Sequence, residues 1–293
     1  MSSYKIINTG INSPDISIAM LAFNHEKFIG EAIESVLMQR TSYTYKIIIA
    51  EDFSTDKTRE IILEYQKKYP DKIKLILQDK NVGAGQNNVD LLLNLEGKYI
   101  AALEGDDYWT DPLKLQKQVD FLEANPDYAI CFHEVNILQD GSIKEDTITA
   151  KVPETTTIND LAKSNYIHTC SVVYRNNLFA EWPEYFKESP VGDYFLHLLN
   201  ARYGAIKCLD EIMGVYRVHG TSFWSSKTQE ERQVIWVPFL KKIRPNFDKE
   251  VQDILNAQIA FYAKPKQRGN KVWNMRNIKK KIIQKLKQLI QVY

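Results

Sequence analysis

Between residues 16 and 132, short apolar runs alternate with longer stretches of helical periodicity, and this alternation limits the fold more than any other feature. ISIAMLA (16–22) reads as a buried strand, and YKIIIA (45–50), IKLIL (73–77), YIAAL (99–103) and YAICF (128–132) read as further strands. After the first, EKFIGEAIESVLMQ repeats Phe28/Ile29, Ile33 and Val36/Leu37 at helical spacing. Further helices are expected over about 56–69, ended by Pro70, and over about 86–95, after a turn at NVGAG. Another runs to about Ala124, with Asp111 as N-cap and Pro112 at the first helical position. Strands alternating with helices predict βαβ units and an α/β, doubly wound, mostly parallel sheet flanked by helices.

Past residue 140 the rhythm breaks. CSVVYR (170–175), AIKCL (205–209) and MGVYRV (213–218) have strand character, DYFLHLLNARY (193–203) reads as one amphipathic helix, and the chain from Gln229 onward is mostly helical. The expected organisation is therefore an α+β half packed on the first, followed by a helical C-terminal extension.

With 293 residues, 44% hydrophobic and 26% charged, the chain can bury a sizeable core, and disordered and collagen-like classes are excluded. No run of eighteen apolar residues exists, and MSSYKIINTGINSPD lacks the layout of a secretory leader. Cys131, Cys170 and Cys208 have neither disulfide-framework nor zinc spacing and read as buried thiols. These points set the expectation of a cytoplasmic protein. The near-zero net charge conceals an asymmetry: residues 264–293 carry ten of the 38 Lys+Arg and no acid, which leaves an acidic body and a basic tail. Spare carboxylates suit a divalent cation, and a basic tail suits an anionic surface.

Two acidic clusters follow strands, where a doubly wound sheet places its ligands. Glu51-Asp52, with Asp56, follows YKIIIA, and Glu104-Gly105-Asp106-Asp107 follows YIAAL. Helix caps and solvated turns explain such acids in many proteins, and Ser54 and Thr55 fit a helix start. Three carboxylates in four residues, however, repel one another unless a cation neutralises them. An acidic turn with few ligands suits Mg²⁺ or Mn²⁺, which keeps positions open for phosphate oxygens and so points to a metal–diphosphate substrate. No GxxxxGK[ST] or GxGxxG loop is present to share that charge.

ISIAMLAFNHEKFIGEAIESVLMQ, IIIAEDFSTDKT, NVGAGQNN, GKYIAALEGDDYWTDPLKLQKQVDFLEANPD, HTCSVVYR, GDYFLHLL and YRVHGTSFWS together resemble the family 2 glycosyltransferases of the GT-A fold. The resemblance covers about residues 14–226, with a nucleotide-sugar-binding half over 14–135, an acceptor-binding half over 136–226 and residues 227–293 outside it. It implies inverting, metal-dependent transfer of a sugar from a nucleoside diphosphate, most simply UDP, to an acceptor hydroxyl. The acceptor implied is a growing surface glycan or a lipid-linked glycan. By the same resemblance Asp52 recognises the base, and Ala22 lines its pocket. Glu104-Gly105-Asp106 stands for the family's D-x-D, with Asp106 on Mn²⁺ or Mg²⁺ and Glu104 near the ribose or a metal water. Asp107 lies beside the donor sugar. Asp193 matches the catalytic base, although a helix N-cap would explain an aspartate there equally well. His219 matches a late histidine that reaches the metal, against the alternative of a packing role. His168 is open between lining the acceptor cleft and packing, and His25, His133 and His197 read as packing residues. Trp109 and Trp224 could stack on a sugar, packing being the ordinary use of Trp109.

The sequence departs from the family at Asn87, where many members carry Arg, and at Glu104, where they carry Asp. Near the C-terminus, Ile278, Ile282/Ile283, Leu286, Leu289/Ile290 and Tyr293 form an apolar stripe among lysines. Residues 271–293 could thus lie on the inner face of an anionic membrane or pack on protein, and nucleic acid is not expected as a partner. The rival to an enzyme is a non-catalytic nucleotide-sugar-binding or scaffold protein docked through that helix. A nucleotidylyltransferase would need a basic, Gly-rich loop after the first strand, and MLAFNHEKF has none.

Overall fold

The computed structural model describes residues 3–8, 10, 13–220 and 227–263. It divides into two compact units, Met1–His219 and Gly220–Tyr293. In chain order the first unit holds β1 (Tyr4–Ile7), β2 (Ile16–Ala22), α1 (Ile29–Leu37), β3 (Tyr45–Glu51), α2 (Thr58–Lys68), β4 (Ile73–Gln78), α3 (Ala84–Leu92) and β5 (Tyr99–Ala102). There follow β6 (Tyr108–Trp109), α4 (Lys114–Ala124), β7 (Tyr128–Gln139), β8 (Ser142–Glu145), β9 (Thr155–Thr156), α5 (Ile158–Leu161), β10 (Val173–Arg175), α6 (Gly192–Asn200) and β11 (Ala205–Val218).

One sheet runs through the unit in the order β1-β4-β3-β2-β5-β10-β7-β11-β6, with β8 on β7 and β9 on β11. The β4-β3-β2-β5 block is parallel, as the alternating pattern predicts. Five consecutive isoleucine, alanine and glutamate positions of β3 (Ile47–Glu51) are fully buried, because helices cover both faces of a parallel sheet. α1 explains its own docking: Ile29, Ala32, Ile33 and Val36 fall on one face and are all fully buried.

The first departure from the sequence reading comes at β10. It enters antiparallel between β5 and β7, so YAICF, the start of β7, does not adjoin YIAAL. A strand arriving from residue 173 cannot be placed by local periodicity. AIKCL and MGVYRV are one strand, β11, which pairs in parallel with β7 through register shifts between Leu209 and Gly214. Those shifts carry Asp210 and Glu211 across the polar interruption that made the two runs look separate. Asp111 and Pro112 sit in a turn ahead of α4, where Asp111 Oδ1 accepts the Leu113 N–H at 2.8 Å. The three cysteines are buried and free.

The second unit contains α7 (Gln229–Ile243), opened by a capping box between Thr228 and Glu231, and α8 (Lys249–Ala263). Trp236 Nε1 donates to Gln258 Oε1 at 2.6 Å and ties these helices together. Trp224 and the basic stretch 271–293 lie outside the described residues. Among the described residues, no helix is long and apolar enough to cross a membrane.

Candidate active site

The carboxyl ends of β2, β3 and β5 share one edge of the sheet: Ala22 lies opposite Glu51, and Ala19 opposite Ala102. The chain must turn sharply there, and Asn24 and Phe53 take φ of 54° and 56° to do so. Asparagine tolerates that region well, whereas phenylalanine in it is a costlier choice. Asp52 is 3% exposed. Its main-chain N–H donates to the Ala22 carbonyl at 3.0 Å, while Oδ1 and Oδ2 accept the Val82 and Gly83 N–H groups at 2.7 and 2.9 Å. Burial pushes its carboxyl up to about 6, against the pull of those two bonds. Asp52 therefore fixes the turn that opens α3, with Gly83 at φ 82°. Asn87, where relatives by resemblance carry Arg, is buried and bonds the Ala50 carbonyl at 3.0 Å.

Asp56 lies one residue ahead of Lys57, the N-cap position of α2, and ties the loop: Oδ1 accepts the Thr58 N–H at 2.9 Å, and Oδ2 accepts the Glu26 N–H at 3.0 Å. Glu51 is fully buried and paired with Arg59. The first acidic cluster is thus largely scaffold, stitching the loop after β2 to the loop after β3.

The second cluster differs. Ligand oxygens of Glu104, Asp106 and Asp107 all lie within 4.8 Å of one another. Gly105 makes the convergence possible, because a Cβ there would come within 2.8 Å of His25 Nδ1 and of Ile29 Cδ1 and 3.0 Å from the Leu21 carbonyl oxygen. Asp106 Oδ2 meets His219 Nε2 at 2.9 Å and His25 Nε2 at 3.8 Å. Burial raises the Asp106 carboxyl, but the His219 hydrogen bond and the nearby His25 and His219 charges outweigh it and hold the group below its ordinary value. Asp107 is 1% exposed, its Oδ1 accepts the Arg217 main-chain N–H at 2.7 Å, and its only side-chain donor is the weak Cys170 thiol. Burial, then the charges of Asp106 and Glu104, push Asp107 well up. Glu104, half-buried, is pushed up to about 8 by burial, then by the charges of Asp106 and Asp193. Asp193, 86 or more residues distant in sequence from each of these acids, is thus close enough for its charge to act on Glu104. Asp193 lies in the first turn of α6, and the capping position is Val191, which makes no side-chain cap. An N-cap role is therefore not what holds Asp193.

Arg217 was not singled out from sequence, nor was His25 expected here. The Arg217 guanidinium donates to the Asp106 carbonyl at 2.7 Å and to Glu31 at 2.6 Å, and it lies 4.7 Å from the Phe28 ring and 4.9 Å from the Tyr108 ring. Its signal was available, since residues two apart on a strand share a face and Arg217 precedes His219 by two. Nothing in spacing marks His25, which arrives by the turn between β2 and α1. Trp109 is buried and donates to the Cys170 carbonyl at 2.8 Å, so it packs. His168 bonds Asp146 at 3.0 Å. His133 and His197 are buried with lowered pKa values, His197 to about 4, and both follow from burial.

Three carboxylates around a common point, with the His219 imidazole bonded to one of them, form a hard, mostly oxygen donor set. Asp107 is a buried carboxylate whose side-chain donor is only the weak Cys170 thiol, and the charges that, after burial, raise Glu104 are what a cation would relieve. These residues fit a divalent cation such as Mn²⁺.

A family model described as glycosyl transferase family 2 matches residues 17–181. The chain belongs to glycosyl transferase family 2. An uncharacterized protein of Mycobacterium tuberculosis is 38% identical over 223 residues, 74% of this chain and 63% of the relative. The chain thus spans under two thirds of the length of the first curated relatives it matches. Among solved structures, Staphylococcus aureus TarS 1-349 in complex with UDP-GlcNAc is similar with a TM-score of 0.63 at 18% identity, over 85% of this chain and 72% of that one. The mannosyltransferase PcManGT from Pyrobaculum calidifontis, in complex with GDP-Man and Mn²⁺, gives 0.61 at 14% identity, over 88% and 72%. At those identities the likeness carries the GT-A fold of this family 2 glycosyltransferase and nothing finer.

Proposed function

We propose that the chain is an inverting glycosyltransferase that moves a sugar from a nucleoside diphosphate sugar, UDP-linked, to an acceptor hydroxyl of a surface polysaccharide or glycolipid. The observation that carries the reading is the convergence of Glu104, Asp106 and Asp107 after β5, and the influence of Asp193, on α6, on the Glu104 carboxyl supports a role for it there. The three clustered acids stand just past the carboxyl end of a strand, where doubly wound folds bind ligands. The nucleotide-sugar complexes of the fold's neighbours support the donor class, and the Mn²⁺ of one supports the metal.

In this reading Asp106 and His219 hold Mn²⁺ or Mg²⁺, with Glu104 and Asp107 completing its surroundings. When bound, the metal neutralises the departing diphosphate. The protein's own residues do the rest. The turn that Asp52 fixes, beside Ala22, shapes the base pocket. Arg217 buttresses the Asp106 carbonyl and, through its main-chain N–H, Asp107. Asp193 accepts the acceptor hydroxyl's proton as that oxygen bonds to the anomeric carbon and the bond to the diphosphate breaks. Asp193→Asn tests the assignment. Transfer, read as nucleoside diphosphate release, should fall by about 10²–10⁴-fold with donor binding retained. Full activity in that variant would remove Asp193 as the base.

A further inference from the structure

β11 brings a second polar pair to the acid cluster. Tyr216, three residues before His219, is half-buried, and its hydroxyl has no hydrogen-bond partner among the described residues. Burial, and then the charges of Glu104, Asp107 and Asp106, push its pKa up, so the hydroxyl keeps its proton within reach of all three acids. His168 lays its ring against Tyr216, with centroids 5.0 Å apart and planes tilted by 39°. A second, independent tie holds His168 at the same place: two residues on, the Cys170 thiol bonds Asp107.

Asp146 fixes how His168 is presented. This buried carboxylate accepts the N–H groups of Ile148 and Thr149 at 2.9 and 3.0 Å and the Thr149 hydroxyl at 2.6 Å, and it meets His168 Nε2 at 3.0 Å. Burial works against its charge, but the bonds from His168, Thr149 and Ile148 outweigh burial and hold it well below the usual carboxylate range. A charged carboxylate only accepts, so Nε2 carries the proton, and Nδ1 of the neutral imidazole is left as a lone pair. Nδ1 has no partner among the described residues, and neither it nor the Tyr216 oxygen is sealed from solvent. A lone pair beside a phenol O–H selects a functional group. A hydroxyl can donate to the first and accept from the second, whereas a phosphate or carboxylate oxygen has no proton for Nδ1 and meets the charge of the three acids at Tyr216.

We propose that His168 and Tyr216 form a hydroxyl-recognising subsite beside the acid cluster, with Asp146 as the residue that positions His168. That the hydroxyl belongs to a sugar rests on the glycosyltransferase reading; that the group is a hydroxyl does not. The donor's sugar and the accepting sugar offer the same chemistry, and the test separates them.

One arm of the test is calorimetry with UDP, UDP-N-acetylglucosamine, UDP-glucose and UDP-galactose, each with Mn²⁺. The other is a glycan array probed in UDP–Mn²⁺. Both use the full chain, Tyr216→Phe and His168→Gln, whose side-chain amide keeps a donor for Asp146. Both variants should bind UDP–Mn²⁺ as wild type does and bind the sugar-bearing ligand about three- to tenfold more weakly, the worth of one hydrogen bond. Loss confined to the nucleotide sugars assigns the donor's hydroxyl, and loss confined to the array assigns the acceptor's. A deoxy analogue of the bound sugar that lacks the contacted hydroxyl should bind wild type and variants alike. Tyr216→Phe removes a single heavy atom and decides alone should His168→Gln not fold. The proposal is overturned by sugar ligands that bind either folded variant as tightly as wild type, by equal loss of UDP–Mn²⁺ binding, by a gap that no deoxy analogue closes, or by failure of wild type to bind any of these sugars. Array glycans lost in the variants, with no nucleotide bound by wild type, would instead remove the glycosyltransferase reading and leave this subsite standing.

Discussion

Glu104→Gln should flatten the alkaline fall in stability of the metal-free protein. The Glu104 carboxyl is raised from 4.5 to about 8, first by burial and then by the charges of Asp106 and Asp193. A carboxyl whose pKa is higher folded than unfolded contributes stability that is complete below the unfolded value and is lost as pH rises through the folded value. From pH 7 to 9 the folded protein holds on average about half a Glu104 proton while the unfolded chain holds essentially none. The loss integrates to about 1.4 kcal/mol. For a unit of this size that is a fall of about 3–6 °C in Tm. Other groups act in the same interval, so the readout is the difference between wild type and variant. Lys114, buried and lowered to about 7, gains stability as pH rises and opposes the trend in both proteins. The lowered His25, His133 and His197 finish their contribution below pH 7 to 7.5. Thermal melts in chelator from pH 7 to 9 give the measurement. Parallel curves for wild type and Glu104→Gln would refute the reasoning, because the repulsion assigned to this cluster would then not exist.

Further outcomes follow from the same geometry. Gly105→Ala drives a Cβ to 2.8 Å from both His25 and Ile29, and should cost about 1–3 kcal/mol in chemical denaturation. Asp52→Ala strands the Val82 and Gly83 N–H groups, so stability should fall by about 1–3 kcal/mol and nucleotide affinity should fall with it, seen by calorimetry. Asp106→Ala should remove Mn²⁺-dependent stabilisation at pH 7.5 and should also lower the chelator-treated Tm, since a carboxyl that His219 and His25 hold below its ordinary value contributes stability at that pH.

Much of this arrangement was legible before any coordinates. The period of the apolar runs gave the β4-β3-β2-β5 block and its helices, because buried parallel strands must be continuously apolar. Position after a strand flagged both acidic clusters, and their order along the chain matched a family pattern. What local pattern could not supply was long-range pairing. The entry of β10 between β5 and β7 depends on contacts some seventy residues apart, such as Val173 with Ala101. Nor could composition separate the scaffold acids Glu51 and Asp56 from the clustered ones, since both groups are carboxylates at strand ends. Hydrogen-bond partners make that distinction: Asp56 is occupied by backbone N–H groups on both oxygens, whereas Asp107 has one backbone N–H and only the weak Cys170 thiol besides. His25 looked like a packing residue because its distance to Asp106 is set by a turn at φ 54° in Asn24, a conformation that sequence does not encode plainly.

The most direct test of the account is donor-nucleotide binding. Thermal melts of the full chain with UDP, GDP, CDP and dTDP, each with Mn²⁺ and with chelator, should show stabilisation by UDP that requires Mn²⁺. At a hundred times Kd the stabilisation should be about 2.7 kcal/mol, and it should vanish in Asp106→Ala. Stabilisation by UDP that is equal in chelator would contradict the metal site, and no stabilisation by any of the four nucleotides would contradict the glycosyltransferase reading itself.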